Sequence, residues 1–275
     1  MKLYEISTGF FKLDGGAMFG VVPKSIWEKL NPADNRNLCT WAMRCLLIED
    51  GNQLILIDTG IGNKQSETFF KHYEPHGEDT LENSLKKNGF APEDVTDVIL
   101  THLHFDHCGG AVIRKGEKLV PFFPNAKYWT HIDHWKWATE PNQREKASFL
   151  KENILPLQES GQLHFTTSPE CVHPHINLLT FSGHTEAMFV PRLRYKNQII
   201  YYGADLIPSS AHIAIPYVMA YDTRPLLTLQ EKKSLLDVMI NENALLYFEH
   251  DPIVSMASLT QTEKGVAFNE AVKLF

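Results

Sequence analysis

Between positions 102 and 107 the chain places four side chains with metal-binding donors: His102, His104, Asp106 and His107. Imidazole nitrogens and carboxylate oxygens crowded this closely are the material of a metal site. The plainer alternative is a histidine-rich surface loop, in a chain with 13 histidines. The run follows the apolar Val98-Ile99-Leu100 and is closed by Gly109-Gly110, which puts it at the end of a buried strand. Three later apolar segments each end in one more donor. Leu178-Leu179-Thr180-Phe181 leads to His184, Ile199-Ile200-Tyr201-Tyr202 to Asp205, and Leu245-Leu246-Tyr247-Phe248 to His250. Singly each is a turn residue. Jointly, five histidines and two aspartates are enough protein ligands for two ions. Cys108, beside the cluster, reads as packing.

Two cations held close together lower the pKa of a bridging water and make hydroxide available near neutral pH. Such hydroxide attacks an ester, lactone or phosphoester centre while the second ion polarises the electrophilic oxygen. Asp106 is placed to carry a proton towards the leaving group, and no serine or cysteine nucleophile is needed. Zinc is the first candidate; manganese and iron also suit nitrogen and oxygen donors.

These donors need strands to deliver them. Residues 4–13 read as a strand, Asp14-Gly15-Gly16 as a turn and 17–22 as extended chain. Residues 40–49 and 53–58 flank Asp50-Gly51-Asn52, a hairpin signal. The second arm ends in Asp58-Thr59-Gly60, where Asp58 is expected to support the turn. Residues 80–88 read as a short helix capped by Gly89. A helix is expected over 144–155, and Thr228-x-x-Glu231 reads as a capping box opening another to about Ile240. Residues 255–268 read as a closing hairpin. Strands with ligands at their ends, alternating with helices, give an α/β class. The segment holding Trp129, His131, His134, Trp135 and Trp137 is expected to form an apolar pocket wall rather than a further metal pair. It implies a small-molecule substrate with an acyl or aromatic part.

Composition narrows the partners. The 275 residues are 43% hydrophobic and 21% charged, which suits one domain spanning 1–275. A net charge of −7 without a basic block argues against nucleic acid. No apolar run spans a bilayer and the first residues lack a secretory apolar core, so no membrane association and a cytoplasmic site are expected. Cys39, Cys45, Cys108 and Cys171 read as reduced thiols. A homodimer is allowed but not required.

His102-x-His104-x-Asp106-His107, Gly183-His184-Thr185, Asp205, His250 and the strand ending in Asp58-Thr59-Gly60 resemble, in order and spacing, the metallo-β-lactamase superfamily. The resemblance implies an αββα four-layer sandwich with two metals at one edge of the sheets. By position, His102, His104 and His184 would hold the first ion and Asp106, His107 and His250 the second. Asp205 would bridge them, and Asp58 would support the site by hydrogen bonding.

Asp205 stands where the antibiotic-cleaving members commonly have cysteine. The 25 residues after His250 read as strands, unlike the helical segment of glyoxalase II. Segments 14–24, 204–208, 218–222 and 248–252 are similar to the branch holding N-acyl-homoserine lactone lactonases and methyl parathion hydrolase-like enzymes. The expected activity is therefore hydrolysis of a lactone or ester, with organophosphate or aryl-ester hydrolysis as the alternative on the same site. A non-hydrolytic metal protein or an iron-dependent oxidoreductase would keep the scaffold, but the ligand set is complete and no flavodoxin-like partner domain is present. Two departures stand out. Glu186-Ala187-Met188 replaces the branch's usual Pro-Gly-His, and Pro208 replaces a lactonase tyrosine three residues beyond the bridging aspartate. His212 or Tyr221 is left to supply that polar contact.

Overall fold

The Asp50-Gly51-Asn52 turn joins the two strands around which the first sheet is built. The structure, a computed structural model, describes residues 1–168 and 172–274, so Cys171 lies outside the described residues. Strand β1 (Lys2–Asp14) runs into two short helices, α1 (Gly15–Phe19) and α2 (Lys24–Trp27). Strands β2 (Leu38–Asp50) and β3 (Gln53–Ile57) then form the hairpin, with Asp50 opposite Gln53 and Gly51 in the left-handed region at φ 61°. Helices α3 (Glu67–Tyr73) and α4 (Leu81–Lys87) precede β4 (Asp97–Ile99). The Thr80 hydroxyl caps α4 by accepting from the Asn83 N–H, as Ser, Thr and Asp commonly do. A four-residue helix, α5 (Phe105–Cys108), leads into a small hairpin, β5 (Val112–Lys115) and β6 (Lys118–Pro121). Strand β7 (Lys127–His131), helices α6 (Ile132–Thr139) and α7 (Lys151–Glu159), and β8 (Leu163–Thr166) complete the first half.

The first sheet has the order β1-β2-β3-β4-β7-β8, antiparallel through β3 and parallel beyond it. Side chains alternate across a strand, and both faces here are apolar. Cys45, Leu47, Leu54 and Leu56 join Leu85 of α4, Trp135 of α6 and Leu157 of α7 on the outer face. Leu46, Ile48, Ile55 and Ile57 point the other way, onto the second sheet. That sheet comprises β9 (Ile176–Phe181), β10 (Met188–Tyr195), β11 (Gln198–Tyr202), β12 (Leu245–Tyr247), β13 (Met256–Thr262) and β14 (Gly265–Ala271). Its order is β14-β13-β12-β11-β10-β9, and β11/β12 is its parallel pair. The crossover between them carries α8 (Pro225–Asn241), which buries Leu235, Leu236 and Met239. The layers are thus α, β, β, α, as the resemblance implies.

The fully buried Ile57 sits between the sheets; burying such a side chain contributes roughly 1.5–3 kcal/mol. Parallel strands share polarity, so the ends of β3 and β4, and of β11 and β12, open on one edge. That edge receives Asp58, the 101–107 run, Asp205 and His250.

Three local expectations are corrected. Residues 15–19 are helical because the Asp14 carboxylate accepts from the Ala17 N–H at 2.8 Å and starts a turn; a Cβ on Gly15 would lie 2.2 Å from the Trp27 ring. Helix α7 begins at Lys151 rather than 144 because the Asn142 side-chain oxygen accepts from the N–H groups of Arg144 and Glu145, at 2.8 and 3.2 Å. Such local bonds compete with helix. Thr228 lies inside α8, whose first position is Pro225, and Glu231 turns to another task described below. Among the described residues, no helix is long and apolar enough to cross a membrane.

Candidate metal centre

Asp58 lies at the floor of this edge, fully buried, with φ 58°. Its carboxylate accepts from the Thr101 N–H at 2.7 Å and from the Thr101 hydroxyl at 2.6 Å, and lies 3.1 Å from His107 Nδ1. The turn after it interlocks with the 109–110 glycines. A Cβ on Gly109 would meet the Ile61 carbonyl oxygen at 2.2 Å, and one on Gly62 would meet that of Gly109 at 2.6 Å. The Thr59 N–H and hydroxyl both donate to the His107 carbonyl, at 2.7 and 2.9 Å. The short helix α5 is thereby fixed against β3.

On this floor the donors form two groups. His102 Nε2, His104 Nδ1 and His184 Nε2 converge, with His104 Nδ1 3.1 Å from the first and 3.2 Å from the last. His107 Nε2 and His250 Nε2 lie 3.1 Å apart, each 3.7 Å from the same Asp106 carboxylate oxygen. Asp205 stands between the groups. Its Oδ2 is 3.1 Å from His184 Nε2, and its Oδ1 is 3.2 Å from His250 and 3.4 Å from His107. Donors around a tetrahedral zinc with bonds of about 2.0–2.1 Å lie about 3.3 Å apart, close to these separations.

Each imidazole also has its far nitrogen occupied. His102 Nδ1 meets the Thr101 hydroxyl at 3.1 Å, His104 Nε2 the Glu145 carboxylate at 3.3 Å, and His184 Nδ1 the Asp222 carboxylate at 2.8 Å. His107 Nδ1 meets Asp58, and His250 Nδ1 the Ala42 carbonyl at 2.7 Å. Acceptors behind the rings hold a proton on the far nitrogen and leave the near lone pair facing the centre. Asp205 Oδ1 is buried and accepts no hydrogen bond. Converging lone pairs around an unpaired carboxylate oxygen fit two divalent cations.

The titration of these groups follows from the same crowding. Burial, then the neighbouring His107 and His104, hold His102 well below the usual imidazole range. Burial would also depress His184, but Asp205 and Asp222 outweigh it and raise the ring to about 10. For His107, burial is outweighed by the carboxylates of Glu249, Asp205 and Asp106, which raise it well above its ordinary value. Burial opposes ionisation of Asp205, yet His107, His184 and His250 hold it well below the carboxylate range. Glu249 is pushed up to about 8 by burial and the nearby Asp58. Its carboxylate is 3.0 Å from His107 Nδ1, whose N–H is directed to Asp58 instead, so Glu249 accepts no well-directed bond.

The loop bearing His184 is braced from α8. The Glu231 carboxylate accepts from the N–H groups of Ser182 and Gly183, both at 2.8 Å. Arg224 donates to the Ser182 carbonyl at 2.7 Å and to Glu186 at 2.6 Å. This is how the chain builds the turn without Pro-Gly-His.

A cavity of about 270 Å³ opens onto both donor groups. His104, Asp106, His184, Asp205 and His250 line its base, and Leu13, Met18, Tyr73, Phe105, Met219 and Tyr221 its apolar side. The wall expected from 129–137 is elsewhere. Helix α6 turns its buried face onto the first sheet, so Trp135 enters the core beneath the site. His134 is fully buried, with Nε2 accepting from the Leu103 N–H at 2.8 Å and Nδ1 donating to the Glu186 carbonyl. Burial pushes it down to about 3. His131 caps α6 by accepting from the Asp133 N–H. His212 also lies outside the cavity lining: it stacks on Phe19 at 4.9 Å, bonded to Ser209 and the Met18 carbonyl. Of the five expected pocket residues, Tyr221 lines the cavity. Cys108 is buried, its thiol donating to the Leu103 carbonyl and pushed up to about 12 by burial. Asp222 and Glu249 stand in the 218–222 and 248–252 segments and Glu231 in the Thr228-x-x-Glu231 pattern, but their roles here had no signal in sequence, and Glu145 had none of any kind.

The profile of the Metallo-beta-lactamase superfamily matches residues 44–250. The chain belongs to that superfamily. Full-length relatives agree. An N-acyl homoserine lactonase of Bacillus thuringiensis is 27% identical over 263 residues, covering 91% of this chain and 93% of that one. A solved structure described as a "probable metal-dependent hydrolase" of Staphylococcus aureus superposes with TM-score 0.89 at 27% identity, over 99% and 98% of the two chains. AidC, a dizinc quorum-quenching lactonase solved with its product, shares the fold at TM-score 0.81 and 22% identity, over 99% and 95%. This superfamily member is a metal-dependent hydrolase of the lactonase-like type.

Proposed function

We propose that the protein hydrolyses lactones or esters with an apolar acyl part, using two divalent cations, zinc first among them. The observation that carries this reading is Asp205, whose two oxygens face different imidazole groups. In it, His102, His104 and His184 would hold one cation and Asp106, His107 and His250 the other, with Asp205 placed to serve both. Cations so placed would lower the pKa of a water and polarise the substrate carbonyl. Asp106, at the cavity base, takes the proton to the leaving oxygen. Asp58 orients His107, and Asp222 orients His184.

The apolar side built by Met18, Phe105 and Met219 receives the acyl part and excludes water from it. Pro208 offers no hydroxyl, and its carbonyl accepts from the His250 N–H at 3.0 Å. The phenol of Tyr221, which lines the cavity, takes over that contact as a hydrogen-bond donor. The N-acyl homoserine lactonases among its relatives support the substrate class. Buried free thiols at Cys39, Cys45 and Cys108 support a cytoplasmic setting.

A panel of acyl lactones, aryl esters and phosphotriesters, offered to zinc-, manganese- and iron-loaded protein, tests the proposal. Lactones or esters are expected to be the best substrates. Failure of every metal form to hydrolyse any of them would overturn it.

A further inference from the structure

Among the described residues, Arg144 is the one arginine or lysine lining the cavity, at its exposed rim, whereas the imidazole and carboxylate donors at the base are buried. The segment 142–149 forms this part of the rim, and the Arg144 guanidinium reaches across to donate from Nη2 to the Ala220 carbonyl on the opposite side. A guanidinium carries five N–H donors, so four remain after that bond. Among the described residues, no carboxylate lies within ion-pair distance of it. The adjacent Glu145 is turned away, its carboxylate held by Trp137 Nε1 at 2.6 Å, Asn142 at 2.7 Å and His104 at 3.3 Å. The chain has 33 acidic against 26 basic residues, so a lack of carboxylates does not explain a bare cation here. The planar fork of a guanidinium pairs best with a carboxylate, through two parallel hydrogen bonds.

Building on the hydrolase reading above, we propose that Arg144 selects substrates carrying a carboxylate remote from the ester or lactone bond. The substrate would then span the cavity, its reacting carbonyl over the buried donors, its apolar middle along Phe105 and Met219, and its anion at the rim. A neutral acyl lactone would fill the same base and wall and leave Arg144 unpaired. The same contact admits a second role, since Arg144 also ties two rims together through Ala220. Loss of a clasp would affect neutral and anionic substrates alike; loss of an anion partner would not.

The test uses a matched pair, an acyl lactone and the same lactone with a carboxylate at the far end of its acyl chain. Both are given to metal-loaded wild type, Arg144→Gln and Arg144→Lys. The wild type is expected to prefer the carboxylated member about tenfold in kcat/KM, through a lower KM; tenfold corresponds to about 1.4 kcal/mol. Arg144→Gln is expected to remove most of that preference and Arg144→Lys to restore part of it. No preference in the wild type, or an equal loss on both substrates in Arg144→Gln, would overturn the proposal. If the wild type hydrolyses neither, the hydrolase reading fails instead. Calorimetric binding of a dicarboxylic acid against its monocarboxylic counterpart then decides the role of Arg144, equal affinities counting against it.

Discussion

Replacing Asp222 should loosen one metal position specifically. Its carboxylate is 1% exposed and 2.8 Å from His184 Nδ1, and it adds to the charge that raises this ring to about 10. Segment 222–224 is also zipped to the His184 loop, with the N–H groups of Thr223 and Arg224 donating to the carbonyls of His184 and Gly183, both at 2.9 Å. Backbone pairing would therefore keep the loop in place when the side chain changes. Asp222→Asn retains an acceptor but exchanges a charge-assisted bond for a neutral one about half as strong. Asp222→Ala leaves a buried ring N–H without a partner, at about 1–3 kcal/mol. Changes behind a metal-bound histidine commonly cost 10–100-fold in affinity, or about 1.4–2.7 kcal/mol. Asp222→Asn should fall near the lower bound and Asp222→Ala near the upper. Zinc release to a competing chelator, followed for each of two equivalents, measures this directly. One equivalent should leave more readily in both variants while the other keeps its affinity more closely. Wild-type affinity for both equivalents in Asp222→Ala would refute the orienting role.

Other consequences are as specific. Gly109→Ala should lower stability by several kcal/mol, because its Cβ would meet the Ile61 carbonyl at 2.2 Å; an unchanged thermal midpoint would contradict the interlock. His212 is buried and neutral, held down to about 4 by burial. The unfolded ring titrates near 6.5, so the unfolded chain takes up this proton first. The stability His212 contributes is full above about pH 6.5 and falls as pH drops towards 4. His212→Gln should flatten that slope in urea titrations at pH 7.5, 6 and 5; an identical slope would exclude His212 as its source. Met219→Trp narrows the apolar wall and should shift preference towards shorter acyl chains, whereas Trp135→Phe, in the core, should alter stability and not chain-length preference.

The chain announces its candidate metal donors because chemistry and topology coincide. His102, His104, Asp106 and His107 are adjacent in sequence, and His184, Asp205 and His250 each follow an apolar run that had to be a strand. The hairpin at Gly51 and the helix stop at Gly89, where φ is 84°, were readable for similar reasons, since a turn or a helix end is a local event. What supports the donors was not. Asp222, Glu145 and Glu231 sit in loops or on a helix, and their roles arise only when α8 and the 142–149 segment dock beside the site. Thr228 and Glu231 have the spacing of a capping box, but Pro225 starts the helix earlier and Glu231 finds the N–H groups of Ser182 and Gly183. The 129–137 segment misleads because aromatic and histidine side chains make a core as readily as a pocket. His134 belongs to the packing that holds the Leu103 N–H, and the cavity wall comes instead from residues far apart in sequence, such as Met18, Phe105 and Met219.

In the reading proposed above, two cations shared through Asp205 do the hydrolytic work. Metal-free protein titrated with zinc, with hydrolysis of an acyl lactone followed at each addition, tests it most directly. Turnover should rise to a plateau at two equivalents per chain. A plateau at one equivalent, or turnover that does not depend on added metal, would contradict it.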